Sequence, residues 1–378
     1  MERIYLDHNA TTPLAPEVLE AMLPFLREAY GNPSSLHWFG QRARAAVERA
    51  REEVAALAGA EASEIVFTGS GSESDNLALR GVLTPARESR RGLVTTTIEH
   101  HAVLRTARAL GEEGFPVELA PVDAAGRVDP NQLTELVDDA TALVSVMLVN
   151  NETGVVQPVP EVAALAHERG ALAHCDAVQA AGKRTVDVDA LGVDLLTLSA
   201  HKIYGPKGVG ALYVRRGTSL APLVRGGSQE RNRRAGTVNV AGVVGFGAAA
   251  TLARERLERD AALLGSLRDR LEQRLLALSG ASRNGEDPRV PGTTSLSFDG
   301  CDAEGLLMSL DLEGVAVSTG AACAAGGVEP SHVLKAMGLP PQRVESSLRV
   351  SLGRGTTEDE VDRAAEIIRA CVECQRQP

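Results

Sequence analysis

The chain has 378 residues, 44% of them hydrophobic and 24% charged, with a formal net charge of -11. The length suggests two or three folding units of an ordinary globular protein. The negative balance excludes nucleic acid and anionic membrane surfaces as main partners. No apolar run approaches the roughly 20 residues of a membrane span, and MERIYLDHNATTP reads as neither a signal nor a transit peptide, so a cytoplasmic protein is expected.

Residues 1–14 read as an extended segment that turns at Ala10–Pro13, with a helix following from Pro16. After a loop at Gly31–His37, residues 40–58 show helical periodicity. The strand Glu64–Thr68 leads through the turn GSGSESDN into the helix LALRGVL. Strand-like runs then begin at Gly92, Pro116, Ala142, Ala171, Asp194 and Gly210. Apolar runs of four to eight residues between amphipathic helices indicate a mainly parallel sheet covered on both faces. A long helical region after Asn239 runs to about residue 278, and its charged second half suits an interdomain helix. Residues 279–378 hold a smaller α/β unit: TTSLSF, AEGLLMSLDLEG, VAVST, SHVLKAMG, SLRVSLG and a helix from Glu358 to Cys374. Residues 1–14 are expected to complete it.

Candidate chemistry clusters at strand ends. In DLLTLSAHKIYGPKGVG, Lys202 leaves an apolar strand at a tight turn, where partial desolvation favours the neutral amine a Schiff base needs. The chain has only four lysines, Lys183, Lys202, Lys207 and Lys335, so such chemistry has few candidates; a surface loop lysine is the plain alternative. Gly69–Ser74 joins a strand to a helix and suits a phosphate, although turn chemistry explains it nearly as well. No Gly-Lys-Ser/Thr follows it, and Ser74 stands where a dinucleotide fingerprint needs its third glycine. Asp176 follows the strand ALAHC at a place where ligands meet parallel sheets. It could pair with a protonated ring nitrogen, but locally it reads better as a helix N-cap with Gln179 as capping-box partner. His100 ends another strand and suits acid/base work or stacking on an aromatic cofactor, or is simply a satisfied polar residue. Asn151 lies in NNETG, equally a turn.

The five cysteines are Cys175, Cys301, Cys323, Cys371 and Cys374. An odd count in a large cytosolic chain argues against disulfides. Cys371-x-x-Cys374 has no second pair, so no metal site is expected there. Cys323 lies in STGAACAAGGVEPSHVL, where Ala and Gly can neither pack a core nor hold one conformation; an exposed thiol on a mobile loop suits a travelling nucleophile. A chance surface cysteine is the alternative. Arg349, within a strand pattern, suits a substrate carboxylate or a structural salt bridge.

In order, these motifs suit pyridoxal phosphate: phosphate in the Gly/Ser turn, ring nitrogen on Asp176, aldehyde on Lys202. With YLDHNATTP, GNPSS, FTGSGSESDN, IEHHAVL, VNNETGVVQP, HCDAVQAAGK, SAHKIYGPKGVGALYVRR, RRAGTVN, STGAACAAGGVEPSHVL and SSLRVSLGR, the chain resembles the NifS/IscS-type cysteine desulfurases over almost its full length. These are class V aminotransferase relatives of fold type I. The resemblance implies an α/β fold: a large cofactor domain (15–260) with a mainly parallel seven-stranded sheet, and a smaller α/β domain (1–14 with 261–378) carrying the cysteine loop at about 318–330.

It further implies that Lys202 forms the Schiff base, His100 stacks on the ring and deprotonates the substrate thiol, and Asp176 pairs with the ring nitrogen. Gln179 and Asn151 would contact the ring oxygen side. Gly71, Ser72, Ser199 and His201 would bind the phosphate, with Thr237 reaching it from the other subunit of an obligate homodimer. Arg349 would hold the carboxylate of L-cysteine, and Cys323 would take the sulfur for a sulfur-acceptor or cluster-scaffold protein, as in iron–sulfur cluster synthesis. Two departures stand out: family members often carry Thr where Ser72 stands, and the chain stops at Cys374-Gln-Arg-Gln-Pro, short of the tail the housekeeping type uses to dock its scaffold. An aminotransferase on the same fold, needing Lys202 and Asp176 but not Cys323, and a non-catalytic sulfur-trafficking scaffold are the other readings.

Overall fold

The computed structural model describes residues 3–85, 90–320 and 330–377, together with the backbone of the short strands Cys323–Ala324 and Gly327–Val328. Seven strands form its largest sheet: β1 (Ile65–Thr68), β2 (Gly92–Thr96), β3 (Val117–Ala120), β4 (Thr141–Ser145), β5 (Leu172–Asp176), β6 (Leu195–Ser199) and β7 (Gly210–Val214). Their order is β1-β7-β6-β5-β4-β2-β3. All neighbours are parallel except β7, which runs against both β6 and β1. The reversal has a local cause. Residues 200–209 are too short a connection for a parallel crossover, so β7 returns antiparallel beside β6.

The inner strands read as continuous apolar runs because helices cover both faces. Alternation still sorts the side chains. Leu195 joins Leu77, Leu79 and Leu110 on one face, while Leu196 and Leu198 join Val54 and Phe246 on the other. The helix Val240–Leu276 is capped by Asn239, whose side chain accepts the Gly242 N–H at 3.0 Å. Its first half sends Val243, Phe246, Ala250 and Ala253 into the large core, and its second half sends Leu264, Leu267, Leu271 and Leu275 into a second core. Burial stabilises each large apolar side chain by roughly 1.5–3 kcal/mol, so one helix ties the two cores together.

The second core is built on an antiparallel sheet of Ser347–Ser351, Thr293–Phe298 and Ala281–Arg283. Ile4–Tyr5 pairs in parallel with Val315–Ala316, and Ile4 and Leu6 are buried in this core. The N-terminal strap then crosses to the large sheet, where Thr12 donates its N–H to the His201 carbonyl. Within the smaller unit two features differ from the sequence expectation. The strand Ala281–Arg283 was not expected, being only three residues long. Within the expected cysteine loop, Cys323–Ala324 pairs antiparallel with Gly327–Val328. No helix among the described residues is long and apolar enough to cross a membrane.

Candidate active site

The site forms where β1, β5 and β6 end. β1 runs into a tight turn at Gly69–Ser70, and the helix Gly71–Leu83 begins at once, so most of the expected GSGSESDN turn is helical. Ser70 is the cause: as N-cap its hydroxyl accepts the Glu73 N–H at 3.1 Å, while Glu73 accepts the Gly69 N–H at 2.7 Å. The N–H groups of Gly71 and Ser72 have no intrahelical partner, and both residues line a cavity of about 220 Å³. A Cβ on Gly71 would lie 3.0 Å from Val178 Cγ2 and 3.3 Å from Ser199 Cβ, so glycine lets the helix start abut the end of β6. Ser199 and His201 line the same cavity.

His100, Asn151, Asp176 and Gln179 line its remainder. Asp176 Oδ1 accepts the Val178 N–H at 2.9 Å, an Asx turn. The expected capping box is absent, because the chain turns after Asp176 without forming a helix and Gln179 bonds elsewhere. Its Nε2 donates to the Asn9 carbonyl (3.0 Å) and its Oε1 accepts from Lys183 Nζ (2.7 Å). Burial raises the Asp176 carboxyl, and burial beside Asp176 raises the Asp75 carboxyl behind it well above the usual range. The buried Oδ1 of Asn151 has no hydrogen-bond partner among the described residues.

Lys202 follows β6 in a single turn of 3-10 helix. Its Nζ donates to the backbone carbonyls of Asn9 and Ala10. Burial, then the Arg349 charge, lower it to about 8, so a useful fraction is neutral at neutral pH. Lys202 also lines a second cavity of about 260 Å³, which shares His100, Asn151 and Gln179 with the first and adds Arg349, Glu152, His332 and Gly320. Arg349 donates to Asp7 Oδ1 (2.7 Å) and to the Asn151 carbonyl (3.1 Å), while its buried Nε has no hydrogen-bond partner among the described residues.

His100 caps the helix His101–Glu112: its Nδ1 accepts the Ala102 N–H at 3.1 Å. Its ring is exposed to the open cavity, yet the surrounding protein and the Lys202 charge lower it to about 4, so the ring is neutral. Thr237 is exposed and lines neither cavity of its own chain, and the Cys323 side chain lies outside the described residues. Sequence reasoning missed Asn9, Lys183, Glu152 and His332. Lys183 had a signal, as one of four lysines and four residues past Gln179. The others sit in motifs that only the fold brings together.

A family profile described as aminotransferase class-V matches residues 4–364. The chain is 50% identical over 377 residues to a cysteine desulfurase of Cereibacter sphaeroides, covering 99% of this chain and 96% of that one. A solved NifS-like protein superposes with a TM-score of 0.93 at 40% identity, covering 98% of this chain and all of that one. A structure of SspA in complex with cysteine gives a TM-score of 0.82 at 36% identity over 92% of this chain and 98% of that one. The chain belongs to the class-V aminotransferase family.

Proposed function

We propose that the protein is a cysteine desulfurase that uses pyridoxal phosphate to convert L-cysteine to L-alanine and leaves a persulfide on Cys323. The observation that carries the reading is the position of Lys202, an amine held near 8 where two cavities meet. One cavity suits the cofactor and the other a small amino acid. The residues fit the group. Free helix N–H groups and the Ser199 hydroxyl suit a phosphate, the Asp176 carboxylate suits a ring nitrogen, and the orphaned Asn151 Oδ1 gains a partner if a donor enters.

When bound, pyridoxal phosphate supplies an electron sink that acidifies the substrate Cα–H. Lys202 anchors it and, once released, takes the Cα proton on Nζ. Asp176 keeps the ring nitrogen protonated, and the positive partner in turn lowers the Asp176 carboxyl. His100, Gln179 and Asn151, which line the same cavity, would hold the ring. Gly71, Ser72, Ser199 and His201 hold the phosphate, with Thr237 added from the second subunit of a homodimer. Arg349 takes the substrate carboxylate, for which its unpartnered Nε is a ready donor. Gly320, three residues before Cys323 in the sequence, lines the substrate cavity. In the sulfur step the substrate C–S bond breaks and an S–S bond to Cys323 forms, leaving alanine. The persulfide passes to an acceptor or cluster-scaffold protein in the cytoplasm. Residues 15–260 act as the cofactor domain, and 1–14 with 261–378 as the domain that carries the cysteine.

Intact-mass analysis after L-cysteine without reductant tests the reading. One added sulfur mapping to Cys323, with matching alanine, is expected. A keto acid with no added sulfur would assign an aminotransferase instead.

A further inference from the structure

Three histidines, His100, His101 and His332, line the substrate cavity, and the hydrogen bonds of His100 and His332 fix opposite ends of those two rings. His100 Nδ1 accepts the Ala102 N–H, so that nitrogen bears no proton and neutral His100 carries its hydrogen on Nε2. Its remaining nitrogen is already N–H. It can donate to the cavity but cannot take a proton from it.

His332 is the reverse. Its Nε2 lies 2.9 Å from the Glu99 carbonyl oxygen, which can only accept, so Nε2 holds the proton and Nδ1 the lone pair. Among the described residues Nδ1 makes no hydrogen bond. The nearest carboxyl oxygen among the described residues, Glu152 Oε1, is 4.0 Å away, beyond hydrogen-bond reach, and burial raises that carboxyl to about 7. Glu152 Oε2 accepts the Ser331 hydroxyl, which holds that carboxylate in place. The ring of His101 lies 4.7 Å from that of His332 and braces it. Burial holds His332 below the usual imidazole range, so the ring meets substrate as the neutral base.

We propose that His332 Nδ1, and not His100, accepts the proton of the substrate thiol; this rests on the desulfurase reading. The S–H bond breaks with its electron pair left on sulfur, and an Nδ1–H bond forms. The imidazolium keeps its Nε2–H bond to the Glu99 carbonyl and faces Glu152, which stabilises it in its ionised form, then loses the Nδ1 proton to water through the ring's 26% exposed side. Its test is His332→Gln in the holoenzyme. A lost general base slows alanine release from L-cysteine by roughly 100-fold or more at pH 7. The deficit shrinks above a pH of about 8.5, where free thiol ionises unaided. Exchange of the Cα hydrogen of L-alanine in heavy water, which involves no thiol, continues and shows the variant is folded and loaded. Nitrogen-15 histidine spectra of the cofactor-free protein should show Nε2–H for both rings. Alanine release within about threefold of wild type at pH 7, or an Nδ1–H tautomer at His332, overturns the assignment. If wild type exchanges L-alanine but forms no alanine from cysteine, the desulfurase reading itself falls and takes this assignment with it.

Discussion

Replacing Arg51 by Met asks whether one buried ion pair holds the loop that leads to Thr237. The side chains of Arg51 and Glu230 are each 4% exposed. They meet in two bonds, 2.6 Å from Nη1 and 2.8 Å from Nη2, and the guanidinium lies 4.7 Å from the Phe67 ring. Arg51 also donates to the Ile65 carbonyl (2.9 Å), and Glu230 accepts the Phe67 N–H (2.9 Å), so the pair welds the loop to β1. The loop needs welding. Glu230, Arg231 and Asn232 have φ of 45°, 55° and 64°, and left-handed backbone costs about 1–2 kcal/mol per L-residue. Methionine fills the space of the arginine stem but strands the carboxylate. Removing one member of a buried pair costs roughly 3–5 kcal/mol, against a total stability of about 5–15 kcal/mol. The urea midpoint should fall accordingly at fixed protein concentration, and trypsin should cut faster after Arg231 and Arg233. Arg51→Met combined with Glu230→Gln should recover part of the loss, because the stranded charge is gone. A single variant within about 1 kcal/mol of wild type, with unchanged cleavage of the loop, would refute the reasoning.

Three other outcomes are expected. Capture of pyridoxal phosphate by cofactor-free protein should quicken about tenfold per pH unit as Lys202 deprotonates, levelling above its value of about 8; a flat absorbance-monitored profile from pH 6 to 8 would contradict this. Burial raises Glu99 to about 8, above its unfolded value, so its contribution is intact at low pH and is lost as pH rises towards 8. Glu99→Gln should therefore gain relative stability between pH 5 and 8, by roughly 4 kcal/mol in denaturant titrations, and an unchanged difference would rule out a raised carboxyl. Gly71→Ala, whose Cβ would press on Val178 and Ser199, should weaken cofactor retention at least about tenfold while melting shifts only a few degrees. Equal retention on dialysis would remove the helix start from the phosphate site.

The large sheet was legible because its strands are apolar runs of the right length, and a parallel sheet buried on both faces leaves that mark. The site was legible where one short motif carries both the turn and the chemistry, as in SAHK or GSGS. What escaped is of two kinds. GSGSESDN was expected as a turn because Ser, Asn and Gly dominate turns, yet Ser70 as N-cap with Glu73 reaching back makes the same residues a helix start. The Asp176–Gln179 capping box failed for the opposite reason. Asn9, from a segment 170 residues away in the chain, supplies Gln179 with a better partner than a helix end would. Partners of that kind leave no trace in local spacing, and His332 with Glu152 belongs with them.

The two half-buried lysines show why geometry outranks acidity in choosing the anchor. Burial, with the Lys202 and Arg349 charges added, lowers Lys183 to about 7, below the value of about 8 at Lys202. Acidity alone would make Lys183 the better nucleophile. But its Nζ is held at 2.7 Å by Asn9 Oδ1 and at 2.7 Å by Gln179 Oε1, and it lines neither cavity. Lys202 lines both, and its resting partners are two carbonyls of the N-terminal strap. Releasing Lys202 therefore frees carbonyls that water or a substrate amine can satisfy. Releasing Lys183 would break the bridge it makes between Asn9 Oδ1 and Gln179 Oε1, leaving both buried oxygens without that donor. Borohydride reduction of the cofactor-loaded protein should place the adduct on Lys202 in wild type and equally in Lys183→Met. In Lys202→Ala no adduct should form, although Lys183 is the more acidic amine. An adduct on Lys183 in either protein would show that acidity, and not access, selects the anchor.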